Sequence, residues 1–394
     1  MDIDTLEDLP FESLLLIAYE LPIYTVNDLC FVSKKFERSI CSSEVFWRNK
    51  YIKEYGEPSY PYEGSWKELY YNSPNLWMDR SFHMVNFTVK QAEIGREYNL
   101  LIDKDNIIWQ RRNHESEFTK VAKEQYPRVK YFKGKNISCG EKHCAFIDHH
   151  DRVWTKGDNR HGLGHDSGVS NWNRVPILEA IQVACGSYYS AIISRYNDIY
   201  VFGKNDHGQL GIKAKHKYMN VPKRLKNFKA KYISCGDNHT AFIDLDNNVF
   251  TFGNIGLSVS KENIYHPQQL IGVKAKQISC GYHTMGFIDD QDHVWMFGYN
   301  DKGQLGLGDR NNRREPTKIE GIKARQIKCG FEITTIVDLD YNLWVCGDNT
   351  ILDLLFGETE WRPNILNKIN GISIRHVSSS PYSYNLTAIG HRLY

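Results

Sequence analysis

The 394-residue chain lacks the short motifs that carry common enzyme chemistries. It contains no Gly-rich loop ending in Gly-Lys-Ser/Thr, no His-Glu-x-x-His and no nucleophile elbow, so phosphate-cradling, zinc and acyl-transfer reactions have no visible carrier. None of its nine cysteines forms a Cys-x-x-Cys pair, and the odd total argues against a complete disulfide framework. Long apolar runs are also missing. Stretches such as Leu14–Ala18 fall far short of the ~20 residues that span a bilayer. Asp2, Asp4, Glu7 and Asp8 stand where a secretory signal would have basic residues. The expectation is an intracellular protein without metal, cofactor or membrane span, and with no catalytic residue.

What the chain does have is an uneven charge. Residues 1–79 hold 14 acidic and seven basic side chains, leaving 33 acidic and 42 basic ones in the remainder. An acidic head on a mildly basic body implies two surfaces with different partners.

A repeat dominates the body. Ile94-Gly95, Cys139-Gly140, Cys185-Gly186, Cys235-Gly236, Cys280-Gly281 and Cys329-Gly330 align, with glycines 45, 46, 50, 45 and 49 residues apart. Fourteen residues after each glycine stands an aromatic: Trp109, Trp154, Tyr200, Phe250, Trp295 and Trp344. The same offset from Ser380 reaches Tyr394, so a degenerate seventh copy is expected. Within each unit, short apolar runs end at Asp and resume after a turn, as in Ala241–Asp244 followed by Val249–Phe252. Units of this length with about four short strands are the size of propeller blades, which bury both faces only by stacking around an axis. The five repeat cysteines read as small buried hydrophobes, with neither disulfide nor zinc. The repeat glycines are expected to permit positive φ or close approach near the axis.

Gly203-Lys-Asn-Asp-His-Gly-Gln-Leu-Gly211, Gly298-Tyr-Asn-Asp-Lys-Gly-Gln-Leu-Gly306 and Cys235-Gly-Asp-Asn-His-Thr240 together resemble the regulator-of-chromosome-condensation repeat over roughly residues 80–394. The first, fourth and sixth units lose the Gly-Gln-Leu-Gly loop, and the seventh has Ser379-Ser380 for Cys-Gly. The fold expected is mainly β, a seven-bladed β-propeller over 78–394 with a small all-α module over 1–77. Ring closure is expected through pairing of 82–86 with 391–394.

Leu14, Leu15, Ile17, Ala18 and Leu21 give helical spacing, and Ser42 or Ser43 can cap a helix carrying Phe46, Trp47 and Tyr51. The pattern Leu9-Pro10 through Leu14, Ile17, Leu21-Pro22, Leu29, Val32, Phe36 and Phe46-Trp47 resembles an F-box. That resemblance implies docking on a Skp-family adaptor of a cullin-type ubiquitin ligase, with Leu9, Pro10, Leu14, Ile17, Leu29, Val32 and Phe36 at or behind the contact. The propeller would then hold a client protein. Richness in Tyr, Asn, Lys and Ile, together with this pairing of modules, is similar to fusions encoded by large DNA viruses, where the adaptor would be the host's.

Two basic clusters remain. Lys213, Lys215, Lys217, Lys223, Arg224 and Lys226 lie in a stretch free of acidic residues, and Arg310, Arg313 and Arg314 follow the fifth unit's glycine loop. They read as a solvated loop and strand edge, or as a contact for an acidic client or nucleic acid. His143, His239 and His283 read as hydrogen-bonding structural groups. The founding member of the repeat family implies one alternative to the adaptor, guanine-nucleotide exchange on a small GTPase, and the basic clusters suggest another, chromatin or nucleic-acid binding.

Overall fold

The computed structural model describes residues 89–112, 118–122, 131–157, 163–164, 171–176, 179–213, 217–255, 264–348, 362–369, 372–379 and 386–392, with Ile40, Ser42, Ser43 and Phe46 nearer the N-terminus. The chain divides into two compact units, one containing residues 1–74 and the other residues 89–391. In the first, Phe46 is helical and fully buried. Its backbone N–H donates to Ser43 Oγ at 3.2 Å, the bond an N-cap serine makes. Leu9, Pro10, Leu14, Ile17, Leu29, Val32 and Phe36 lie outside the described residues, as do residues 82–86 of the expected clasp.

The larger unit is mainly β. Its first sheet runs β1 (Val89–Ile94), β2 (Tyr98–Asp103), β3 (Ile108–Arg112) and β4 (Thr119–Lys120), each antiparallel to the next. The second repeats this order with β5 (Gly134–Cys139), β6 (His143–Asp148), β7 (Val153–Gly157) and β8 (Asn173–Arg174). The third holds β9 (Ala180–Cys185), β10 (Tyr189–Ser194), β11 (Asp198–Lys204) and β12 (Tyr218–Lys229). The fourth holds β13 (Tyr232–Cys235), β14 (His239–Ile243), β15 (Asn248–Gly253) and β16 (Ile264–Lys274). Next comes a continuous seven-stranded sheet: β17 (Gln277–Cys280), β18 (Thr284–Ile288), β19 (His293–Gly298), β20 (Arg313–Cys329), β21 (Ile333–Asp338), β22 (Leu343–Gly347) and β23 (Asn367–Ile369). It is continuous because the 17-residue β20 pairs with β19 through Lys323 and with β21 from Ala324 onward. β24 (Ile372–Ser379) and β25 (Leu386–Arg392) form a last pair.

The first strand of each four-stranded set lies innermost. β1 neighbours β5, and contacts then run through β9, β13, β17, β20 and β24 back to β1. The described inner strands thus follow one another around a closed circuit. The core is correspondingly divided into layers between neighbouring sheets. One layer joins Leu100, Ile102 and Ile108 of the first sheet to Ile137, Phe146 and Trp154 of the second. Another joins Ile199 and Val201 of the third to Ile233, Phe242 and Phe252 of the fourth. Each sheet buries both faces only because it has two neighbours.

The repeat glycines serve close approach. A Cβ at Gly95, Gly140 or Gly236 would collide with the carbonyl oxygen of Gly140, Gly186 or Gly281, the next glycine in the series. None of these three has a positive φ, so steric contact alone demands glycine.

One cysteine departs from expectation. Cys185, Cys235, Cys280 and Cys329 are buried and free, but Cys139 forms a disulfide with Cys144. The reason is register. The residue five places on sits directly across the inner hairpin, and it is Cys144 here but Ser190, Thr240, Met285 and Thr334 in the other units.

Candidate functional site

The four repeat tryptophans close hairpins at one end of the wheel. In the first sheet, Asp103 Oδ1 accepts from the backbone N–H groups of Asp105 (2.9 Å) and Ile107 (2.8 Å), and Oδ2 accepts from the Trp109 indole (2.7 Å). Asp148 with Trp154, Asp289 with Trp295, and Asp338 with Trp344 repeat the arrangement, with indole bonds of 2.9, 2.9 and 2.8 Å. Burial alone would raise the Asp148 and Asp289 pKa values, but the converging donors outweigh it and hold both below the usual range. The third residue after each of these four Asp, and after Asp244 of the fourth sheet, takes φ between 63° and 71° (Asn106, Asp151, Asp292, Tyr341 and Asn247), which closes the turn. The tryptophans are therefore structural.

The Gly-Gln-Leu-Gly loops at the other end are also self-contained. Asn205 Oδ1 accepts from Leu210 N–H at 3.0 Å, Asn205 Nδ2 donates to Ile212 O at 2.7 Å, and Gln209 Oε1 accepts from His207 N–H at 2.9 Å. Asn300 and Gln304 repeat this with Leu305 (2.9 Å), Asp309 O (2.9 Å) and Lys302 (3.0 Å). Gly208 and Gly303 adopt φ of 80°, and a Cβ on Gly208 would meet Ile264 O at 2.7 Å. The loop motif thus defines a shape and brings no reactive group.

Burial favours the neutral form of His239 and His283, and His143 is held by a hydrogen bond. His143 Nε2 lies 2.8 Å from Ser190 Oγ of the next sheet. Burial and the neighbouring His283 push the His239 pKa down to about 3, and burial also lowers that of His283. Among the described residues no group of three or more His, Cys, Asp or Glu could hold a metal, and no helix is long and apolar enough to cross a membrane.

The two basic clusters sit on different edges. Lys223, Arg224 and Lys226 are exposed on β12, the outermost strand of the third sheet, and exposed Lys213 and Lys217 lie in the connection before it. Lys215 is outside the described residues. Arg310 precedes β20, and Arg313 and Arg314 open it, with the fourth sheet standing between this group and β12. Both connections run from a third to a fourth strand, so they emerge at the same end of the wheel. Part of the charge is already paired. Arg224 and Lys229 reach Asp198 at 2.7 and 2.9 Å, and Arg313 reaches Asp309 at 2.6 Å. Lys229 and Arg224 outweigh the burial that opposes ionisation and keep the Asp198 carboxyl below its usual range. Pro222 and Pro267 lie on β12 and β16, and Pro316 lies in the part of β20 that pairs with β19. Lysine and proline on such strands are what keeps an exposed sheet edge from pairing with another chain.

The axis holds the most organised polar arrangement. At five of the seven positions three residues before a repeat cysteine or its counterpart (Gln91, Asn136, Gln182, Gln277 and Gln326), a side chain reaches to the next inner strand. Gln182 donates to Ile233 O at 2.9 Å and accepts from Ile233 N–H at 3.0 Å. Gln326 does the same to Val377 at 2.9 and 3.1 Å. Asn136 accepts from Val183 N–H at 2.9 Å, and Gln277 from Ile327 N–H at 2.8 Å. One residue before the cysteine, Ser138, Ser234 and Ser279 accept from the next cysteine's N–H at 2.9–3.0 Å. At the meeting of first and last inner strands, Glu93 takes Lys328 Nζ at 3.2 Å and the Ser378 hydroxyl at 3.1 Å. Burial opposes the Lys328 charge, but Glu93 and Tyr232 more than offset it and raise the pKa. The Gln and Asn side chains, the three serines, Glu93 and Lys328 line an axial cavity of about 500 Å³. The seam residues were not singled out in the sequence, although their fixed offset from the cysteine is visible there.

The RCC1-like domain model matches residues 108–390. No curated protein matches the sequence. Human WBSCR16 is similar in structure, with 18% identity over 79% of this chain and 89% of that one and a TM-score of 0.68. Yeast RCC1 (Prp20) bound to Kap60 aligns at 16% identity over 78% of this chain and 81% of that one, TM-score 0.67. Prp20p from Saccharomyces cerevisiae, solved with attention to its binding to Gsp1p and histones, aligns at 16% over 78% and 83%, TM-score 0.66.

Proposed function

The chain belongs to the RCC1-like domain family, and from that premise we propose that it is a non-catalytic binding platform, a seven-bladed wheel over 78–394 that presents one end to a macromolecular partner. The blade count is supported by the circuit from β1 through β24 and by the seven sequence units. The partner class favoured is a small GTPase or a chromatin component. The observation that carries it is the family match over 108–390 together with the fold shared with Prp20p, for which Gsp1p and histone binding is named. Nucleotide release tests the exchange reading, since the full chain at substoichiometric amounts would accelerate loss of labelled GDP from a small GTPase. No acceleration, combined with no retention on histones or DNA at about 150 mM salt, removes the reading.

A second reading rests on the Leu9-Pro10 pattern in residues 1–77 and on the Ser43 cap before Phe46. Here the head docks on a Skp-family adaptor through Leu9, Pro10, Leu14, Ile17, Leu29, Val32 and Phe36, and the wheel recruits a client to a cullin ligase. Co-purification with a Skp protein that is lost on Leu9→Asp supports it. Binding indifferent to that change sinks it.

A further inference from the structure

The residue four places before each repeat cysteine or its counterpart is Lys90, Lys135, Ile181, Lys231, Lys276, Arg325 or Arg375, so six of seven are cationic. All seven are exposed. In β1, β5, β9 and β20 the ladder skips this residue: Val89 and Gln91 pair with Asp103 and Ile102 while Lys90 has no partner, and Lys135, Ile181 and Arg325 are skipped in the same way. Each is the extra residue of a β-bulge, a device that re-aims a side chain. The bulges lie where the inner strands begin, and of the seven residues in this row Ile181, Lys231, Arg325 and Arg375 line the axial cavity.

Few carboxylates balance this ring at the axis. Among the cavity's lining residues, Lys231, Arg325, Lys328 and Arg375 stand against Glu93 alone, four cations to one carboxylate. Lys135 and Lys276 are paired outward with Asp151 and Asp292, but Lys90 and Lys231 bond the neutral carboxamides of Asn106 and Asn247. Arg325 lies 3.9 Å over the Tyr341 ring, which orients the guanidinium without neutralising it. A concave site with excess charge of one sign and low-dielectric walls focuses its field on a counter-ion. The seam bonds fix the inner strands, so the cations are held before a ligand arrives. The cavity volume falls within the ~300–1,000 Å³ range of small-molecule sites.

We propose that this axial mouth binds a small polyphosphate-bearing anion, gripped by Arg325, Arg375 and Lys231. The site is distinct from the edge clusters on β12 and β20 and does not depend on which macromolecule the wheel engages.

Isothermal titration of the full chain with inorganic tripolyphosphate tests it, at about 50 mM and again at about 150 mM salt, where screening shortens the reach of the charges. The expected result is binding that weakens with salt. Arg325→Gln/Arg375→Gln should reduce affinity by at least about tenfold, because charge-assisted contacts to phosphate are lost. Arg375→Lys should keep most of the affinity, and Lys223→Gln/Lys226→Gln on β12 should leave it unchanged. No binding by the unaltered chain at the lower salt, undiminished binding by the axial double variant, or an equal loss in the β12 variant overturns the proposal.

Discussion

Replacing Gln182 by leucine keeps the volume near constant but removes both bonds to Ile233, at 2.9 and 3.0 Å. The backbone N–H and C=O of Ile233 then face the axial cavity without a protein partner. An unsatisfied buried polar group costs about 1–3 kcal/mol. The cavity admits water, so the lower bound applies to each group, and Gln182→Leu should cost about 2 kcal/mol. Gln326→Leu, which strips the same two groups of Val377, should cost a similar amount. The two positions stand on different sheets, so the double variant should lose about 4 kcal/mol, near the sum. Urea unfolding followed by far-ultraviolet circular dichroism measures the loss, and amide hydrogen exchange at Ile233 and Val377 localises it. A loss below about 0.5 kcal/mol with unchanged protection of those two amides would refute the claim that side-chain amides bind the sheets to one another.

Three further outcomes are expected. Trp154→Phe keeps an aromatic side chain but loses the indole N–H and its 2.9 Å bond to the Asp148 carboxylate, and should cost at least about 1.5–3 kcal/mol by denaturant titration, as for hydrogen bonds to charged groups. Phe242→Ala empties a fully buried position between the third and fourth sheets, where its ring stacks on Phe250 at 5.0 Å, and should cost about 3–5 kcal/mol. His239 and His376, pushed down to about 3 and about 4 chiefly by burial, stay neutral in the fold while their unfolded forms take up protons below pH ~6.5. Their contribution is therefore complete above pH ~6.5 and falls by about 1.4 kcal/mol per pH unit for each histidine on acidification toward pH 4. A urea midpoint that does not move between pH 7 and pH 5 would contradict this.

The sheets were legible because their strands repeat a spacing that backbone geometry enforces, from cysteine-glycine to aromatic. Gly208, Gln209 and Asn205 were recognisable as a motif, yet the turn they lock shows only in the bonds they make. The rows at three and four residues before the cysteine are hidden in the sequence because their members differ in type. Gln, Asn, Tyr and His share the first row, and Lys, Arg and Ile share the second. Their common role comes from place on the inner strand, not from identity. The repeat pattern does not reveal the Cys139 disulfide for a related reason, since its partner Cys144 falls off the repeat position and meets it only through hairpin register. The basic residues on β12 were found, but pattern alone could not separate edge protection from a ligand contact.

β20 has a mechanical consequence. Two residues break the run from β12 to β13 and from β16 to β17, but here one unbroken strand serves as both the outer strand of one sheet and the inner strand of the next, from Arg313 to Cys329. A splint of this kind transmits tension straight from rim to hub, with no slack to absorb it. Under load from either end of the chain, the β17–β23 segment should yield as one block, while the looped sectors peel away singly.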